Sequence, residues 1–154
     1  MMITTHTAIG AVIGQAVGHP VLGFILGFIS HFIVDMIPHG DSGMADNFFV
    51  LKQRRKQAIA FAAIDAIVAI GLVLLLANTK DIFSIRNFTW GIIGGVLPDL
   101  LVAISIVYKN TLLKKFVAVH FYFHDYFVKK RGDVPLYYAI LAQIVLIAYL
   151  QTKL

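Results

Sequence analysis

The chain carries six histidines and eight aspartates, with no glutamate and no cysteine. Its metal-ligating chemistry is therefore imidazole and carboxylate, without thiolate. Two pairs sit four residues apart, His31 with Asp35 and His120 with His124. On a helix that spacing puts both side chains on one face, where they can chelate one ion. His6, Asp65 and Asp99 are further candidate ligands, each set in an otherwise apolar stretch. More than four candidates provide for two ions. Imidazole with carboxylate suits zinc, and also manganese or iron. A water bound to such an ion has a pKa of about 7 and acts as a nucleophile, while a second ion stabilises the leaving oxygen. His39 and Asp41 lie just beyond the first chelating pair and are the candidates for catalytic base. His19, next to Pro20, reads as an interfacial residue at a helix start.

The elements that must position these residues follow from composition. Of the 154 residues, 59% are apolar and only 14% charged, with a mean hydropathy of +0.83. A soluble domain carries about 25% charged residues, so too few are present here to clothe a water-facing surface. The apolar content excludes intrinsic disorder, and the absence of cysteine excludes a disulfide scaffold. Residues 21–37, 57–77, 88–108 and 135–150 are long apolar runs, each near the ~20 residues that cross a bilayer core. Residues 3–18 predict a shorter, glycine-rich helix. Residues 111–128 predict a sixth helix, too polar to span and held at one interface. The expectation is an all-α integral membrane bundle of five to six helices, forming one domain over residues 1–154.

Glycines continue the polar stripes. Gly10, Gly14 and Gly18 follow His6 in steps of four. Gly23 and Gly27 lead into His31, Asp35 and His39, and Gly91 and Gly95 lead into Asp99. Small residues at that spacing let membrane helices approach closely. The stripes are therefore contact faces, and their titratable ends point into the bundle rather than at lipid.

Basic residues cluster at Lys52–Lys56, at Lys109, Lys114 and Lys115, and at Lys129–Arg131. With two spans between the first two clusters, all three fall on one side, the cytoplasmic side by the positive-inside rule. Short cationic clusters between apolar runs fit anionic lipid rather than nucleic acid, and no nucleic-acid partner is expected. The chain reads as a multi-pass protein of the cytoplasmic (inner) membrane. His6, His31, His39, His120 and His124 all come to the cytoplasmic leaflet, and the outer half is nearly bare of titratable groups. The aromatic run 121–127 reads as an interface belt.

The segment Ser30-His31-Phe32 with Asp35, followed by Pro38 and His39, resembles the metal motif of zinc-dependent phospholipase C and the fungal single-strand nucleases. More closely, the chain resembles the YdjM-like group of small bacterial inner-membrane metal-dependent hydrolases. The matching motifs are Thr5-His6 with Gly10, Ser30-His31 with Asp35, and Leu97-Pro98-Asp99. The resemblance covers about half the chain as scattered short motifs. It implies His6, His31 and Asp35 as metal ligands, with Asp35 a bridge between ions, and the stretch from His120 to Asp125 as the source of the remaining histidines. The order of the Leu-Pro-Asp motif is reversed relative to that group, and the chain lacks the glutamate ligand of the soluble phospholipases.

Two functions use these residues differently. The first is a metal-dependent hydrolase acting on a phosphoester, such as a membrane lipid head group. The second is a non-enzymatic membrane protein whose His/Asp set handles ions or protons, or locks the bundle. A one-sided polar cluster favours the first, because a transport pathway needs polar groups in both leaflets.

Overall fold

The computed structural model describes residues 1–41, 55–108 and 110–154. Lys52, Arg54 and Lys109 of the basic clusters lie outside the described residues. The chain is all-helical. Among the described residues the α-helices are α1 (Ile3–Val17), α2 (Pro20–Asp35), α3 (Arg55–Thr79), α4 (Ile85–Val107), α5 (Thr111–His124), the single turn α6 (Val128–Arg131) and α7 (Leu136–Leu150). A 3₁₀ turn, Gln151–Lys153, follows. Among the described residues, three stretches are long and apolar enough to cross a membrane: Lys56–Thr79, Ile85–Val107 and Leu136–Lys153. The helix α2 is apolar but shorter. Their outward faces are large and greasy; Ile67 is 68% exposed and Val145 69%. Apolar surface on that scale needs a lipid or protein covering.

Helix ends follow local chemistry. The α1–α2 turn is made by Gly18, whose φ of 67° is left-handed, and by Pro20 at the first position of α2. His19 caps α2, its Nδ1 accepting from the Leu22 amide at 3.5 Å. Ser84 and Asn110 cap α4 and α5 in the same way. The helix expected over 111–128 stops at His124. Asp125 leaves helical geometry at φ −92°, ψ 3°. Its carboxylate accepts from His124 Nδ1 at 3.0 Å and pairs with Lys129 at 3.1 Å. Those local bonds compete with a further helical turn.

The amino end of α1 is capped from elsewhere in the fold. Asp65 of α3 accepts from the Ile3 amide and the Thr4 hydroxyl, each at 2.5 Å. Gln143 of α7 accepts from the Met2 amide at 3.0 Å and the Thr5 hydroxyl at 2.9 Å. Both side chains are buried. A carboxylate here satisfies orphan amides and the positive end of the helix dipole.

The centre of the bundle is α1, α2 and α4, and glycine sets its closeness. A Cβ on Gly95 would stand 2.7 Å from the His6 carbonyl oxygen, and one on Gly27 2.5 Å from that of Gly91. These are backbone atoms and cannot swing aside. Gly18, the last of the first stripe, instead meets nothing within 4 Å, because it belongs to the turn. At one end of the bundle, Gln15 bonds the Ser84 carbonyl and Lys80 that of Gln151. At the other end, the Gly40 amide donates to Asp133. Five of the six histidines lie towards this second end; His19 alone lies at the first.

Candidate metal centre

Four residues on three helices converge first. His31 and Asp35 come from the last two turns of α2, Asp99 from α4 and His120 from α5. His31 Nε2 is 3.2 Å from Asp35 Oδ2 and 3.6 Å from Asp99 Oδ1. His120 Nε2 is 3.8 Å from each of the same two oxygens. With bonds of about 2.0–2.1 Å, ligand atoms around a tetrahedral zinc stand about 3.3 Å apart. These separations are close to that.

A second set lies beside it. His39 Nε2 is 2.8 Å from Asp41 Oδ1 and 3.1 Å from His124 Nε2, which is itself 3.3 Å from Asp41 Oδ1. His39 and Asp41 follow α2, and His124 closes α5. Three ligands with room for a fourth is the pattern of catalytic zinc sites. His39 and Asp41, expected as catalytic base from the sequence, thus stand among possible ligands.

Asp35 belongs to the first set and reaches the second only through the Met1 amine. Its Oδ2 faces the first, while its Oδ1 lies 3.0 Å from His6 Nε2 and 2.5 Å from the amino nitrogen of Met1. That nitrogen is also 2.6 Å from His39 Nε2 and 3.8 Å from Asp41 Oδ2. A cationic group therefore stands where the carboxylates and imidazoles meet. His6 stacks on His31, with ring centroids 3.9 Å apart. Asp65 belongs to neither set and is occupied at the end of α1.

The protonation pattern is informative. His31 Nδ1 lies 2.8 Å from the Gly95 carbonyl and His39 Nδ1 2.6 Å from that of Ile37. His124 Nδ1 faces the Asp125 carboxylate. Each of these partners only accepts, so each Nδ1 carries hydrogen, and in the neutral ring Nε2 is a lone pair. That of His31 points at the carboxylate oxygens of Asp35 and Asp99. His31 Nε2 and Asp35 Oδ2 are buried and form no hydrogen bond. Facing acceptors of this kind are satisfied by a proton on the imidazole or by a metal ion between them. The outer bonds to Gly95, Ile37 and Asp125 also match the way proteins orient metal-bound histidines. Pro98, inside α4, removes one helical hydrogen bond near Gly95 and loosens that turn.

Outside the apolar helices the charges are set by position. Burial alone would favour a neutral His124, but the hydrogen bond and charge of Asp41 outweigh it and raise its pKa to about 9. Burial lowers that of His120 to about 3, against the pull of Asp35. Burial also opposes the charge on Asp41. The Met1 ammonium and bonds from His124 and His39 nonetheless hold its carboxyl well below the usual range.

With no ion bound, His124 is therefore protonated at neutral pH and must shed that proton to ligate. Calorimetry of zinc loading, in buffers of different ionisation enthalpy, is expected to show proton release at pH 7. The release should vanish as pH rises through about 9. Below that value, affinity at this set should fall about tenfold per pH unit. Loading without proton exchange at pH 7 would contradict the assignment of His124.

Two contributors were not evident from sequence. The Met1 amino group carries no side-chain signal. The Gly95 carbonyl was hinted at only by the glycine stripe ending in Asp99. No protein-family model, curated protein or solved structure matches the chain.

Proposed function

We propose that this protein is a multi-pass inner-membrane hydrolase that uses two divalent ions, zinc first among them, to cleave a phosphoester such as a lipid head group. The carrying observation is that His31 Nε2 and Asp35 Oδ2, buried 3.2 Å apart, form no hydrogen bond and stand with ligand atoms of Asp99 and His120 in one group. The motifs shared with the metal-dependent membrane hydrolases support the same reading.

His31, Asp35, Asp99 and His120 would hold one ion, and His39, Asp41 and His124 the other. Bound ions supply Lewis acidity at a phosphoryl oxygen and acidify water. The chain's own residues do the rest. Asp35 holds His31, His6 and the Met1 amine together. Gly95, Ile37 and Asp125 lock the imidazoles. Asp41 and Asp99 are the ligands open to the outside, with side chains 25% and 23% exposed. Asp99 is placed to take the proton of an attacking water as its oxygen bonds to phosphorus. That proton passes to the alcohol oxygen released when the phosphorus–oxygen bond breaks.

A second reading has one observation in its favour. The His6–Asp35 and Met1–Asp35 contacts are already well-formed polar bonds, as a purely structural network would have. Metal analysis of the detergent-purified chain separates the two. The hydrolase reading expects about two ions per chain. It also expects phosphodiester hydrolysis that stops with chelator and returns with zinc. A metal-free chain, or chelator-insensitive activity, would leave the structural network.

A further inference from the structure

The two sets of His and Asp residues open onto a large apolar cleft. It has a volume of about 900 Å³ and lies between α3 and α4, with the start of α1 as its floor. Helix α3 packs on α1, and α4 packs on α1 and α2, so the two long helices stand apart. Small residues line the α3 wall, Ala62, Ala66 and Ala69, and branched ones the α4 wall, Ile92, Ile93 and Val96. Asp41, Asp99, His120 and His124 are part of the same lining. Exposed Ile59, Ile70 and Leu74 form its rim.

We propose that this cleft holds an acyl chain of a membrane glycerophospholipid whose phosphate lies at the His/Asp cluster. The proposal rests on the hydrolase reading for the phosphate end, because without cations the carboxylates there would repel it. Three observations select a lipid over other occupants. The first is continuity, since one cleft contains both the ligand side chains and the apolar walls. The second is length. From Asp65, level with the start of α1, to Leu74 at the far end is nine residues, about 14 Å along a helix. One leaflet of a bilayer's hydrocarbon core is about 15 Å thick, so a chain anchored at the cluster would be housed along most of its length.

The third observation is polarity. Beyond the cluster towards Leu74, the α3 and α4 walls carry no charged side chain. A soluble phosphoester would find no partner there, and would gain nothing from the cleft. A lipid gains cover for its chain and enters sideways from the leaflet, past Ile70 and Leu74. The helix pair thus selects for an attached hydrocarbon, while the cluster selects for the phosphate.

The test uses the zinc-loaded full chain in vesicles of phosphatidylethanolamine and phosphatidylglycerol. The probe is a phosphatidylglycerol with a photoactivatable group in one acyl chain. Cross-links mapped by mass spectrometry are expected on α3 and α4 at the cleft walls, rather than evenly over the outward faces of α2 and α7. Ala66→Trp and Ile93→Trp fill the cleft from opposite walls. Each should reduce those cross-links several-fold with unchanged metal content. Ile67→Trp, on the outward face of α3, should leave both as in the parent. Each cleft variant should also slow hydrolysis of the lipid while sparing a water-soluble phosphodiester. Cross-links spread evenly over all outward faces, or unaffected by both cleft variants, would overturn the proposal. A parent chain without metal or hydrolysis would overturn the hydrolase reading instead, and the cross-link map would still decide the occupant of the cleft.

Discussion

Asp35→Asn is expected to abolish metal binding at both sets of ligands, not at one. The residue is 1% exposed, and its two oxygens face different partners. Oδ2 lies with His31 and His120, and Oδ1 with His6 and the Met1 amine. Asparagine keeps the shape and removes the charge. It also turns one lone-pair site into a donor, aimed at imidazoles that are themselves poised to accept or to ligate. Loss of a supporting residue outside the ligand shell already weakens metal sites about 10–100-fold, so loss of a ligand that also anchors the amine beside the second set should exceed that. Metal analysis should fall from about two ions per chain to none, whereas His124→Ala should lose only the ion of its own set. A full complement in Asp35→Asn would sink the assignment of Asp35 as a ligand. Loss of one ion only would show that the two sets are independent.

His31→Ala should lose the first ion and all hydrolysis, and His19→Ala should keep both. His19 caps the helix that carries His31, which makes the comparison internal. His31 is fully buried, stacks on His6, stands in the group that could hold an ion, and bonds the Gly95 carbonyl. Its removal also leaves that carbonyl without its side-chain partner in the core, at a cost of about 1–3 kcal/mol. A melt in detergent should register this apart from the metal. His19 only caps α2 through a long contact to the Leu22 amide. Losing a cap costs about 1 kcal/mol, and nothing ties it to the ligands. Equal metal content in the parent and His31→Ala would reject the first site outright.

Much of the architecture was legible because it is local. Apolar length and the spacing of glycines located α1, α2, α3, α4 and α7 to within a few residues. Hydropathy and helical periodicity do not depend on what packs where. The end of α5 was missed, because it turns on one carboxylate, Asp125, bonding the preceding histidine and a lysine one turn on. The pairings His31/Asp35 and His120/His124 were legible for the same reason as the helices. Spacing four on one helix fixes a shared face, although it does not say that both members serve one ion. In the structure His120 faces His31 and Asp35 while His124 faces His39 and Asp41.

The sequence by itself determined that the chain is helical, that its polar groups face inward, and that most of its imidazoles gather at one end. Only the tertiary structure divided those groups into two sets, moved Asp65 to the start of α1, set His39 and Asp41 among possible ligands, drew in the Met1 amine, and opened a cleft beside them. The physical reason is that each of these depends on how far one helix slides along another. That register is set where backbones touch, at Gly10, Gly14, Gly27, Gly91 and Gly95. A slide of one turn moves a side chain by about 5.4 Å, more than the whole spread of 4.8 Å within either ligand set.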